Sequence, residues 1–389
     1  MRPPERVAAA LRDAATPVCA YVYDRVTLNA RARAVRAALP AGATLLYAVK
    51  ANGHRAVVAT LAGATDGLEV ASGGELALAR DVGAARIVFG GPAKTDTELA
   101  AAVAAGVTIN VESGHELRRV DLAARAAGLR ATVAVRVNRA ATTVTGSHLM
   151  TGQPTPFGVD ESAVASLLAL AGTLSGVRVV GWHLHAVSNN LDAGAHARFV
   201  ADAVDWSVTA AAAHGMALRY VNVGGGFGVD YTGERVFDLA ELGAALPAAT
   251  ARLPAQARLV FEPGRFLAAD AGWYAAEVLD LKRTHGRWFA VLRGGTHHFR
   301  LPAAWGYSHP FTVLPVEAWP YPFARPQVTD VAVDAVGELC TPRDVLTRAQ
   351  HVSRLRIGDV LVFGRAGAYG WDISHHDFLR HPHPQTIVL

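Results

Sequence analysis

From about residue 44 to residue 270, short apolar runs of β type alternate with alanine-rich runs of helical period, the pattern of parallel βα units. TLLYAVKAN gives way to HRAVVATLAG, GLEVAS to GGELALARDVG, RIVFGGPAK to TDTELAAAVAAG, and VTINVES to GHELRRVDLAARAAG. RATVAVRVN leads through a polar insertion to DESAVASLLALAGTL, VRVVGWHLHAVS to a long alanine-rich helix, and RYVNVGGGFG to LAELGAALPAATARL; ARLVFEPGRF is the eighth run. Eight units over roughly 230 residues predict a closed (β/α)8 barrel, spanning residues 25–270. An open dinucleotide-binding sheet is disfavoured, because its glycine cluster follows the first strand, whereas Gly224, Gly225 and Gly226 follow the seventh. Beyond residue 271 the period changes to short β runs broken by Pro, Gly and His. Residues 271–389, joined by the strand-like TPVCAYVYD within residues 1–24, therefore predict an all-β domain of sandwich or barrel-like form. The fold class expected is thus α/β plus all-β.

Composition removes several classes of function. The chain has 389 residues, 51% hydrophobic and 18% charged, which argues against disorder, and no segment approaches the ~20 apolar residues of a membrane span. The net charge of +4 comes from scattered arginines without a polybasic tract, so no nucleic-acid partner is expected. The opening MRPPERVAAALRDAATP carries charge where a signal peptide is apolar, and the two cysteines, Cys19 and Cys340, stand in unlike contexts. A cytoplasmic protein without a disulfide is the expectation, and no metal site is indicated.

In a barrel the reactive groups stand at the C-terminal ends of the strands, which here carry Lys50, Glu69, Arg136, Asn138, His185, Ser188, the three glycines, Glu262 and Arg265. Lys50 ends an apolar run. A lysine snorkelling at the rim is the plain structural alternative to a desolvated amine that condenses with an aldehyde. The VGGGF turn offers unobstructed backbone N–H groups to a phosphate, or is merely a turn, and EPGR sets Glu262 beside Arg265, as a site or as an ion pair. Lysine, glycine cradle and carboxylate together outline a site for pyridoxal phosphate.

YAVKAN (47–52), LEVAS (68–72), HLHAVSNN (183–190), VGGGF (223–227), EPGR (262–265), GELCTPRDVL (337–346) and GAYG (367–370) follow one another along the chain. In this order the chain resembles the fold type III pyridoxal phosphate-dependent decarboxylases, which include ornithine, arginine and diaminopimelate decarboxylases. The resemblance implies that Lys50 carries the cofactor and that His185 stacks on its ring. It gives Ser188, the Gly224 to Gly226 amides, Arg265 and Tyr369 to the phosphate, and Glu69 to the inner face. Glu262 would pair with the pyridinium nitrogen, as suits decarboxylation; alanine racemases resemble one another in placing arginine there. The resemblance also implies a homodimer with active sites at the interface, where Cys340 of the partner subunit protonates the carbon left by CO2 and Asp344 meets the substrate.

This chain reads Cys340-Thr341-Pro342-Arg343-Asp344 where diaminopimelate-type enzymes carry Cys-Glu-Ser-Gly-Asp, so an acidic group is lost and a cation gained. An anionic substrate tail is expected, read by Arg343 with His297, His298 or Arg300. GGTHHFRLPA with LCTPRD resembles the siderophore-biosynthesis branch, which acts on citryl-linked 2,3-diaminopropionate in staphyloferrin B-type assembly. A decarboxylase of free diaminopimelate, ornithine or lysine, or of carrier-linked glutamate, is the alternative within enzymes. A non-catalytic regulatory homologue is the alternative outside them.

Overall fold

The computed structural model describes residues 2–142 and 144–389, which divide into two compact units. One comprises residues 29–230 and 235–267; the other comprises residues 1–28, 231–234 and 268–389.

The first unit is built on a parallel barrel. Its strands are Thr44–Ala48, Gly67–Val70, Ile87–Phe89, Thr108–Val111, Ala131–Asn138, Val177–His183, Tyr220–Asn222 and Arg258–Phe261. Each pairs in parallel with the next, the last pairs with the first, and Ile109 opposite Val133 completes the ring. Strands covered on both faces read as near-continuous apolar runs, which is why they are so plain in the sequence. Leu46, Val88, Ala134, Val180, Tyr220 and Val260 form one interior layer from six of the strands. Ser, Thr and Asp residues cap the outer helices: Ser72, Thr95, Ser113, Asp192 and Asp238 each accept a backbone N–H of the first turn. The polar insertion after the fifth strand supplies His148–Leu149, which pairs antiparallel with Val187–Ser188.

The second unit is a mostly antiparallel eight-stranded sheet. Its centre is the long strand Gly272–Thr284, flanked by Arg287–Leu292 and Val360–Phe363. The early strand Cys19–Tyr23 pairs with residues 272–276 of that centre and also with Gln385–Val388, so both ends of the chain enter one sheet. A helix the sequence pattern did not suggest, Glu5–Arg12, places Val7, Ala8 and Leu11 against Val22, Trp273 and Val362. The expected class, a (β/α)8 barrel with an all-β unit, is the class observed. Among the described residues no helix is long and apolar enough to cross a membrane.

Candidate active site

The first barrel strand runs into a 3-10 turn, Val49–Ala51, in which Val49 and Ala51 are buried and Lys50 is turned outward. Tyr47 Oη donates to the Asn52 carbonyl at 2.9 Å and fixes the turn. Lys50 Nζ donates to Glu69 Oε2 at 2.5 Å, and the Glu69 side chain is almost fully buried at the end of the second strand. This ion pair holds the amine in place at the strand ends.

Glu262 is buried at the end of the eighth strand, the neighbour of the first. Asn222 Nδ2 donates to Glu262 Oε1, and His183 Nε2 lies 3.5 Å from Glu262 Oε2. Burial pushes the Glu262 carboxyl upward, but His183, Asn222 and the Lys50 charge outweigh it, so the group stands below its ordinary value. Asn222 was not singled out in the sequence, although it ties three elements together. It donates to Glu262, its other donor bond goes to Tyr220 Oη at 2.9 Å, and its Oδ1 accepts from Gly224 N at 2.8 Å. Its only signal was a polar residue inside an apolar strand, hidden by the glycines that follow.

The glycine turn is close-packed. A Cβ at Gly224 would lie 2.2 Å from His185 Nδ1, one at Gly225 2.4 Å from the Glu262 carbonyl, and one at Gly226 2.9 Å from the Val187 carbonyl. Gly224 and Gly226 also have φ of +72° and +92°, which side chains rarely adopt. The Gly225 N–H donates to His185 Nδ1 at 3.3 Å. Burial, with the charges of Arg136 and Lys50 added, holds the His185 pKa well below the ordinary imidazole value, so the ring is neutral. The His183 and His185 rings are stacked at 6.3 Å. Arg265 is buried just beyond the eighth strand, and Ser188 is half-buried in the short ladder to His148. An amine anchored on a carboxylate, a glycine cradle without room for side chains, a neutral ring and an ionised acid fit pyridoxal phosphate.

In the second unit Cys340 is exposed and Cys19 buried, both as free thiols. Tyr369 is half-buried with φ of 54°. A cavity of about 580 Å³ is lined by Arg300, Thr341, Pro342, Arg343, Arg348 and His375, among others, and among the described residues by no carboxylate. The cavity brings Arg300 and Arg343 together with Arg348 and His375. Burial, followed by the Arg300 charge, lowers the His375 pKa. Arg348 lies beyond the motif in a run of alternating strand residues, where nothing in the sequence set it apart.

Three expectations for this unit need correction. His297 and His298 are fully buried, with ring centroids 3.7 Å apart, and neither lines the arginine cavity. His298 Nδ1 lies 3.4 Å from Cys19 Sγ; burial brings the His298 pKa to about 2 and pushes the Cys19 thiol up to about 11. Histidines can pack as core residues, and a sequence does not reveal which ones do. Asp344 is buried too. Its Oδ1 accepts from Thr296 N at 2.6 Å and its Oδ2 from Leu339 N at 2.9 Å, so the carboxylate anchors two loops of the cavity wall.

A parallel barrel that presents a lysine, a glycine cradle and a buried acid at its strand ends, accompanied by a β unit, is the architecture of a pyridoxal phosphate enzyme of the decarboxylase type. Residues 25–269 match the pyridoxal-binding domain of the pyridoxal-dependent decarboxylases. The chain is 40% identical, over all of its length and 98% of the relative's, to 2-[(L-alanin-3-ylcarbamoyl)methyl]-2-hydroxybutanedioate decarboxylase of Staphylococcus aureus (strain NCTC 8325 / PS 47). It is 35% identical, over 97% of its length and 92% of the relative's, to a diaminopimelate decarboxylase of Deinococcus radiodurans. Among solved structures, diaminopimelate decarboxylase from Helicobacter pylori complexed with L-lysine superposes with a TM-score of 0.85 at 25% identity, covering 98% of this chain and 93% of that one. The chain belongs to the pyridoxal-dependent decarboxylase family, and it is a carboxy-lyase that uses pyridoxal phosphate.

Proposed function

We propose that this enzyme decarboxylates the citrate amide of 2,3-diaminopropionate, the compound in the name of its Staphylococcus aureus relative, to citryl-diaminoethane during carboxylate siderophore assembly. The observation that carries the reading is the cavity in which Arg300, Arg343 and Arg348 converge without a carboxylate. A citryl tail brings several carboxylates, and guanidinium forks match them in pairs.

Bound pyridoxal phosphate supplies an electron sink for the pair released with CO2. Lys50 holds the cofactor through its amine, with Glu69 fixing that amine's position. The glycine turn, Ser188, Arg265 and Tyr369 take its phosphate, and His185 packs on its ring. Glu262, kept ionised by Asn222 and His183, holds the proton on the ring nitrogen. Arg343 and its neighbours orient the substrate tail, and Cys340 of the partner subunit returns a proton to the carbon that lost CO2. The working form in this reading is a cytoplasmic homodimer.

Arg343→Ala tests the substrate assignment. One charge-assisted contact is worth ~1.5 to 3 kcal/mol, so kcat/KM for the citryl substrate falls by roughly one to two orders of magnitude while the cofactor absorbance stays the same. An unchanged kcat/KM removes Arg343 from substrate recognition.

A further inference from the structure

A second cavity, of about 520 Å³, lies at the other end of the barrel, where the strands begin. Arg86 precedes the third strand, Arg219 precedes the seventh, and Arg258 opens the eighth; all three line it. Val180 and Tyr220, members of the interior barrel layer, close it from within. Among the described residues, no acidic side chain lines it.

The cations have little to balance them. Arg86 donates to Thr44 Oγ1 at 3.0 Å, and burial followed by the charge of Arg258 lowers its pKa. Asp66, the acid whose charge Arg86 feels, is already paired with Arg36 and accepts from Leu45 N at 2.8 Å. Among the described residues, neither Arg219 nor Arg258 has a carboxylate within ion-pair distance, and both are exposed. Like charges gathered around a concave surface raise the local potential for anions.

We propose that this mouth of the barrel binds a small organic polycarboxylate, held by Arg86, Arg219 and Arg258. The cavity is within the range of small-molecule sites, and Ile87, Val107 and Val180 give it apolar walls. Such walls suit a carbon skeleton bearing two or three carboxylates better than a lone inorganic oxyanion. Three separate forks suit carboxylates spread along that skeleton. The site lies at the opposite end of the barrel strands from Lys50 and Glu262, and it does not rest on the decarboxylase substrate proposed above.

The test is calorimetric titration of the holoenzyme with tricarballylate and, separately, with inorganic phosphate. Because the arginine cavity of the β unit would also take carboxylates, the comparison is between Arg343→Ala and the triple variant that adds Arg219→Ala and Arg258→Ala. The single variant should retain a tricarballylate binding event that the triple variant weakens about tenfold or more, since two charge-assisted contacts are lost. Equal tricarballylate affinity in the two variants overturns the site. Phosphate binding as tightly as tricarballylate in the single variant overturns its assignment to organic acids. Failure of the citryl substrate to react would leave both outcomes readable.

Discussion

At the scale of single residues, the chemistry proposed above depends on keeping Glu262 ionised at the end of the eighth strand. Its pKa is depressed, so its charge is present at neutral pH and is lost only as the pH falls through that lowered value. Asn222→Ala removes one of the groups that depress it, which raises the Glu262 pKa. The acid limb of the kcat profile should then move to higher pH, as a pH series on the two enzymes would show; an unmoved limb would leave Asn222 a packing residue. Lys50, Glu69 and Glu262 were legible because a charge at the end of an apolar run is costly without a partner. Asn222 and His183 were not, since their value lies in contacts between neighbouring strand ends. The buried pair His297 and His298 misled for the converse reason, polar letters that the fold places in its interior.

Among elements, the junction of two outer helices is governed by one carboxylate. Thr95 and Glu98 form a capping box on the helix Asp96–Ala104, and Glu98 Oε1 also accepts from Gly73 N at 2.6 Å, at the start of the preceding helix Gly73–Asp81. Backbone N–H groups of Thr95 and Gly73 and the Thr95 hydroxyl lower the Glu98 pKa. That contribution is present above the ordinary carboxylate range and fades as the pH falls through the lowered value. Thr95→Ala should cost ~1 kcal/mol, the usual worth of a cap, and should lower Tm at neutral pH. The Tm difference between the two proteins should shrink toward acid; a constant difference would separate the cap from the carboxylate. Strands of the barrel were legible because both of their faces are covered. The helix Arg25–Ala38 escaped notice because its apolar positions are interleaved with Arg25, Arg31, Arg33 and Arg36.

For the whole molecule, the proposed division of labour places Lys50 and Cys340 of one active site on different subunits. Lys50→Ala and Cys340→Ala proteins, each nearly inactive, should regain about a quarter of the normal activity when mixed and allowed to exchange, because half of the dimers then hold one intact site. No recovery, with exchange confirmed by native mass spectrometry, would put both residues in one subunit's site. The architecture itself was legible from period alone, whereas the cation-lined cavity was legible only in part. Arg300 and Arg343 lie in recognisable motifs, but Arg348 and His375 join them only through the folding of the sheet.

The central claim, an enzyme that decarboxylates an amino-acid head carrying an anionic citryl tail, is tested most directly by CO2 release. The purified holoenzyme would be given citryl-diaminopropionate, diaminopimelate, lysine and ornithine in parallel. Release should be fastest, by kcat/KM, from the citryl compound. Preference for diaminopimelate, lysine or ornithine would contradict the substrate reading and leave the arginine cavity without its proposed role.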